Sequence, residues 1–492
     1  MRFVARPRLP ARLVVVAVVA ALALLTTIPA AANVALTRIS TDPTSNTTSQ
    51  HATQVEPDTY AFGNTIVSAF QTGRFFDGGA SGIAFATSTN AGSTWTTGVL
   101  PGITRVQTGT TGPYDRVSDP AVAFDAQDNV WMVSSLAILA NPVRGVAVIT
   151  SRSTNGGLTW GNPVTTATGS NLDKNWIACD NTSASPFFGN CYSEFDDTNN
   201  GNRIKMSTST NGGLNWGAAL NTGDNATGLG GQPVVRPNGT VLVPIANANE
   251  TQIRSFRSIN GGTSWRATVL VSNVTAHTVA GSLRSGPLPS AEIDSAGTAY
   301  VVWQDCRFRS GCPANDIVMS KSTSETTWGA VTRVPIDATN SGRDHFIPGI
   351  GVDRTTSGGS ARIGLTYYFY PVANCTAANC QLDVGYVSST NGGSTWSAAT
   401  MVTGPMTLSW LANTSQGRMV GDYISTSVFP AANGGRAYPV IAVANPPSGS
   451  VFDEAMYVPT GGLAVSGGSL RASSAGARRV PVSSRGGAGR RR

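Results

Sequence analysis

Charged side chains are scarce, 12% of the 492 residues, and several recur in one setting, just ahead of an apolar run. Arg116 and Asp119 stand there, as do Asp173 and Lys174, then Arg343, Asp344 and His345, then Arg418, Asp422 and Tyr423. Two further stretches add Arg74 and Asp77 (QTGRFFDGGA) and Arg307 (QDCRFR). Guanidinium groups grip carboxylates through paired N–H donors. An Asp beside them can pass a proton, and a Tyr can attack as a nucleophile. Brought to one place, such a set would hold an acidic ligand and act on it. Any one of these residues alone reads more simply as an ion pair or a solvated loop end; the recurrence is what points to a site.

Other chemistry is poorly supported. The three histidines, His51, His277 and His345, are far apart in sequence, so neither they nor the cysteines make a metal-binding pattern, and no motif asks for a cofactor. The six cysteines fall in close pairs, Cys179/Cys191, Cys306/Cys312 and Cys375/Cys380, which in an exported chain predicts three local disulfides. The second and third pairs fall in loops between second and third strands, on the side where the charged residues gather. Arg2, Arg6, Arg8 and Arg12, the apolar run Leu13 to Leu25 and the small residues Ala30, Ala31 and Ala32 read as a cleavable export signal ending near Ala32. The run is short for a membrane span, so the mature chain is expected to be secreted, without a span and monomeric. The net charge of +7 is carried by the ends: four arginines in 1–32 and seven in 461–492, with no acids, leave 23 bases against 27 acids between them. The body is therefore mildly acidic, which argues against nucleic acid as a partner. The Gly/Ser/Arg composition of 461–492 reads as a disordered tail.

What would position the charged residues is a repeat. Ser88 to Trp95 reads STNAGSTW, Ser153 to Trp160 STNGGLTW, Ser209 to Trp216 STNGGLNW, Ser258 to Trp265 SINGGTSW and Ser389 to Trp396 STNGGSTW; a worn copy, STSETTW, ends at Trp328. Asn-Gly signals a tight turn, Ser and Asn can hold it through side-chain hydrogen bonds, and the Trp anchors it by burial. Around each turn lie short apolar-alternating runs, four per unit, as in AVAFD, VWMVSSLAIL and RGVAVITS ahead of the turn at Ser153. The expected fold is all-β, a β-propeller of four-stranded antiparallel blades over residues 56–460, with seven blades favoured and six the alternative. A last unit, Tyr423 to Pro459, shows three strands, and Val34 to Ser40 within 33–55 could supply its fourth. The repeated turns join third to fourth strands, so loops between second and third strands, and the starts of first strands, share the opposite face. The charged residues fall on that face.

The repeated turn resembles the Asp-box of the sialidase superfamily, with Asn where the family usually has Asp. In that family the box is structural. The resemblance implies a propeller acting on extracellular glycans or glycoproteins, with three Arg on the substrate carboxylate, a Tyr–Glu nucleophile and an Asp acid/base. Ile66 to Gly79 is similar to the family segment ahead of the first box, which makes Asp77 the candidate acid/base; Tyr423, in Gly421-Asp422-Tyr423, is the candidate nucleophile. Arg74, Asp119, Asp173, Arg307, Arg343 and Asp344 are the candidate substrate-binding residues. The family's Arg-Ile-Pro motif is absent; Tyr60-Ala61-Phe62-Gly63 stands there instead. Two functions follow as expectations: a secreted exo-sialidase-type glycoside hydrolase, or a non-catalytic extracellular propeller that binds glycan or protein.

Overall fold

The computed structural model describes residues 33–474. The expected export signal and the tail from residue 475 on lie outside them. Among the described residues the chain is all-β apart from four single-turn 3-10 segments, and no helix is long and apolar enough to cross a membrane.

The strands pair in successive four-stranded antiparallel groups. The first is Gln50–Phe62, Thr65–Arg74, Ala80–Ser88 and Thr96–Val99. The second begins with Arg116–Asp125 and Val130–Ala140, then Val143–Ser153 pairs with the long strand Val164–Cys179. The later part of that strand opens the third group, with Cys191–Asp197, Arg203–Ser209 and Leu220–Asn221. The fourth uses Val234–Val235, Val241–Asn247, Gln252–Ser258 and Val269–Asn273. The fifth runs Ser290–Ile293, Ala299–Asp305, Asp316–Ser322 and Thr332–Arg333. The sixth runs Asp344–Val352, Ile363–Tyr370, Gln381–Ser389 and Thr400–Thr407. The last is Ser425–Val428, Arg436–Ser448 and Val451–Pro459, completed by Leu36–Arg38 from the other end of the chain. The strand expected from Val34 to Ser40 thus pairs where the edge would otherwise be open.

Two boundaries differ from the sequence reading. The polar stretch 41–54, ahead of the expected propeller start at residue 56, turns into strand at Gln50 because Thr53, Gln54 and Val55 are buried against Thr65–Arg74. Past residue 460, Leu463–Ala464 pairs with Arg436–Ser448, Leu470–Arg471 with Thr395–Trp396, and Ser473–Ser474 with Thr332–Arg333. The segment expected to be disordered from 461 is therefore strand-paired as far as 474, where it covers free sheet edges.

The repeated turns hold themselves and their neighbours. In the copy at Ser389, Asn391 Oδ1 accepts from the Ser389 hydroxyl and from the Thr395 N–H at 2.9 Å, while Gly393 N–H donates to Ser389 Oγ at 2.9 Å. The same bonds recur at Ser88, Ser153, Ser209 and Ser258. Each of three turns is also gripped by an adjacent group: Thr87 donates to Gly157 O, Arg152 to Gly212 O and Lys321 to Gly392 O. Tyr438, in the last group, donates to Ala91 O of the first turn at 2.8 Å.

The three cysteine pairs are disulfide-bonded as expected. Cys179 and Cys191 sit opposite each other on paired strands, with Cα atoms 4.0 Å apart. Cys306–Cys312 closes the loop after Ala299–Asp305, and Cys375–Cys380 closes the loop after Ile363–Tyr370.

Candidate functional site

The first strands of the groups touch one another in cyclic order, the last against the first. Four of them carry the same irregularity. Glu56-Pro57, Asp119-Pro120, Lys174-Asn175 and Ile347-Pro348 each set two residues against one on the neighbouring second strand. These are β-bulges, and the leading residue of each has a left-handed backbone: φ is +60° at Glu56, +49° at Asp119, +53° at Lys174 and +48° at Ile347. Non-glycine residues in that region cost roughly 1–3 kcal/mol each, and a bulge re-aims the side chain it carries.

Three of the four aim charge at one place. Lys174 Nζ lies 3.5 Å from Asp119 and 4.0 Å from Glu56, and it pairs with Asp422 at the start of the last group. Arg284, from the link between the fourth and fifth groups, forks onto the same Asp422, with Nε to Oδ1 at 2.6 Å. The Asp422 N–H donates to Glu56 at 3.3 Å. Arg74 is buried behind them, bonded to Gln71 at 2.8 Å, and Gln71 in turn bonds Glu56. Asp173 stands beside Lys174, half-buried, in register with Asp196.

The electrostatics follow from burial and neighbours. Burial alone would raise Asp422, but Arg284 and Lys174 outweigh it and hold this carboxyl well below the usual range. Burial opposes the Lys174 charge, yet Asp422, Asp119 and Glu56 overcome it and keep the ammonium protonated. Glu56 is pushed up to about 7 by burial and then by Asp119. Asp173 is raised to about 6, again by burial first and Asp119 second. A half-buried carboxyl that titrates near neutrality beside fixed cations is equipped for proton transfer. Arg284 and Lys174 keep 19% and 10% of their side-chain surface open, so an anionic group can reach them from outside.

The structure gathers some of the expected residues and scatters others. Arg74, Asp119, Asp173 and Tyr423 belong to the cluster. Tyr423 is buried against Trp176, and its hydroxyl donates to Pro120 O at 3.0 Å; burial and then Glu56, Asp119, Asp58 and Asp422 push it well above the ordinary phenol. Asp77 lies at the rim, forked to Arg116 at 2.5 and 3.4 Å, and that hydrogen bond holds it low. Arg307 folds onto Asp305 of its own loop, Nε to Oδ1 at 2.9 Å. Arg343 is exposed at the turn before the sixth group. Asp344 bonds His277 at 2.9 Å and the Asn315 N–H at 2.8 Å. The sequence does not single out Glu56 and Arg284. Glu56-Pro57 matches Asp119-Pro120 and could have been found by that pairing, whereas Arg284 sits in a link with no repeat signal.

The cysteines brace loops and stand apart from the charged cluster, although the sequence sets two pairs on its face. Cys306 and Cys312 hold the loop of Arg307; Cys312 has a left-handed backbone, φ +54°, and its N–H donates to Arg309 O at 3.0 Å. Cys375 and Cys380 are buried in the same apolar cluster as Leu408, and the Cys380 N–H donates to Thr376 O at 2.8 Å. Cys312 and Cys380 are thus structural, as their expected disulfides imply, for a disulfide sulfur is neither a nucleophile nor a metal ligand.

Among the described residues, Asp316, Asp337 and His345 have the spacing of a metal site. Arg309 and Arg333 already bridge both carboxylates at 2.7–2.8 Å, and burial lowers His345 to about 4, leaving it neutral. The cluster is an ion-pair clasp.

No protein-family model matches the chain, and no curated protein does. Several solved structures are similar in outline. A Dyadobacter fermentans protein of unknown function is 16% identical, with 73% of this chain and 99% of that one covered and a TM-score of 0.45. A Streptococcus pneumoniae NanB sialidase is 12% identical over 86% of this chain and 70% of its own, TM-score 0.43. An ulvan lyase, a polysaccharide lyase, is 10% identical over 88% and 97%, TM-score 0.47. Likenesses this distant do not bear on what the site does.

Proposed function

We propose that the chain is an exported seven-bladed β-propeller of the sialidase-like kind that cleaves acidic extracellular glycans at the Lys174–Arg284 face. Cyclic contact among the first strands and the pairing of Leu36–Arg38 with Val451–Pro459 support the seven-bladed ring. Three disulfides accord with an oxidising compartment.

One observation carries the site: three successive first strands spend backbone strain to bring Glu56 and Asp119 to Lys174, which also pairs with Asp422. In this reading the open edges of Arg284 and Lys174 hold the acidic substituent of a sugar. Asp173 rather than Asp77 delivers the proton to the leaving oxygen, because Arg116 keeps Asp77 ionised while Asp173 is protonated below pH about 6. Water bonds to the anomeric carbon, and its proton is released to solvent. A second reading, binding without cleavage, is favoured by Tyr423, whose hydroxyl donates to a backbone carbonyl and makes no hydrogen bond to a carboxylate among the described residues.

Turnover decides between them. Release of sugar from sialylated and uronate-containing glycans that Asp173→Asn abolishes supports the enzyme. Retained binding with no release by the parent supports the second reading.

A further inference from the structure

The first strands also enclose a cavity of about 540 Å³ at the other end of the ring, beside the first-to-second-strand turns. Trp176 lines it, and Tyr423 packs edge-on against Trp176 at 4.9 Å, so the two rings stand between this cavity and the Lys174 cluster.

Its walls present hydrogen-bonding groups with unused capacity. Gln232 is 5% exposed; its Oε1 accepts from Ala291 N–H at 2.9 Å, which leaves its amide N–H donors with no protein acceptor among the described residues. Tyr60 OH accepts from Arg354 and from Asn181 Nδ2 at 3.3 Å, so its own proton is free to donate. Glu292 receives Arg354 on Oε2 at 2.9 Å and keeps Oε1 open. Arg354 also lies over the Tyr60 ring, 4.6 Å from its centre. At the rim, Phe62 is 42% exposed and leans on Phe124 with ring centres 4.4 Å apart.

We propose that this cavity is a second binding site and that it takes a neutral pyranose sugar. The chemistry is that of a polyol with one apolar face. Uncommitted donors (Gln232, Tyr60) and an acceptor (Glu292) converge, and Arg354 is matched by Glu292 while Asp58 and Asp294 also line the cavity, so no surplus of positive charge invites an anionic ligand. An exposed aromatic ring offers a platform for the sugar's C–H face. The volume lies within the range of small-molecule sites, roughly 300–1,000 Å³. A fixed buried donor rewards a ligand that satisfies it, since leaving it unpaired is costly.

The test is calorimetric titration of the chain with D-glucose, D-galactose, D-mannose and N-acetylglucosamine. At least one is expected to bind with a Kd on the order of 1 mM, as suits a single sugar unit. Gln232→Leu should weaken that binding about tenfold, the loss of one buried hydrogen bond. Tyr60→Phe keeps the ring and removes the hydroxyl, and should act in the same direction if Gln232→Leu fails to fold. Arg284→Gln, at the other end, should leave it unchanged, so this site stands or falls apart from the acidic-glycan face. Absence of binding by all four sugars, or binding indifferent to both cavity substitutions, overturns the proposal.

Discussion

Arg284 Nε donates to Asp422 Oδ1 at 2.6 Å, which ties the link before the fifth group to the start of the last. Asp422 also holds Lys174 and is buried, so two cations depend on one carboxylate. Asp422→Asn should therefore destabilise the fold by about 3–5 kcal/mol at pH 7, the cost of breaking a buried pair. The pH dependence has a definite sign. Because Asp422 titrates lower folded than unfolded, its contribution is complete above about pH 4 and is lost as pH falls below that. Denaturant titrations at neutral and acid pH check this: the variant should lack part of the parent's acid-side loss.

The repeated turns should be separable from the site. Asn391→Ala removes the acceptor for the Thr395 N–H and the Ser389 hydroxyl, and should cost about 1–3 kcal/mol. Asn391→Asp keeps an acceptor oxygen and should cost less. Thermal melts rank the two, and activity of the folded fraction should match the parent in both.

The junction of the chain ends is open to deletion. Removing residues 33–40 takes away Leu36–Arg38 and the buried Ile39, and leaves the Tyr457–Pro459 end of Val451–Pro459 unpaired on its outer edge. Burial of Ile39 alone is worth about 2 kcal/mol, and a bare edge invites association. A lowered melting temperature with self-association on size-exclusion chromatography is the expected outcome.

Catalysis should follow Asp173. Its carboxyl, raised to about 6 by burial and Asp119, donates a proton only while protonated. Turnover should therefore fall as pH rises through about 6. The pH–rate profile of the parent checks this, and a rate that instead climbs through that range contradicts a proton-donor role.

How far the sequence could be read depended on whether a feature was local. Ser389 to Trp396 and its copies carry their own turn chemistry within eight residues, and the cysteine pairs lie close in sequence, so both were legible. That Cys306–Cys312 and Cys375–Cys380 each close a loop between second and third strands was legible too, because each pair spans only a few residues. Leu36–Arg38 was legible because the last unit lacked a strand. The site was half legible. Asp119, Asp173, Lys174 and Asp422 share a position in the repeat, but Glu56 lies in a polar stretch ahead of Tyr60, where the apolar pattern of its strand has not yet begun. Arg284 reaches Asp422 across 138 residues, with no pattern to announce it. Arg307 has the residue type expected of an anion-binding arginine, yet its own loop offers Asp305 two positions away, and the nearer carboxylate holds it.

The most direct measurement is binding of the chain to sialylated and uronate-containing glycans beside their neutral counterparts, with Arg284→Gln in parallel and melting curves to show that it is folded. Retention of acidic glycans by the parent, and their loss in Arg284→Gln, is the predicted result. Equal binding by the two proteins, or a preference for the neutral glycans, would contradict the assignment of the Lys174–Arg284 face.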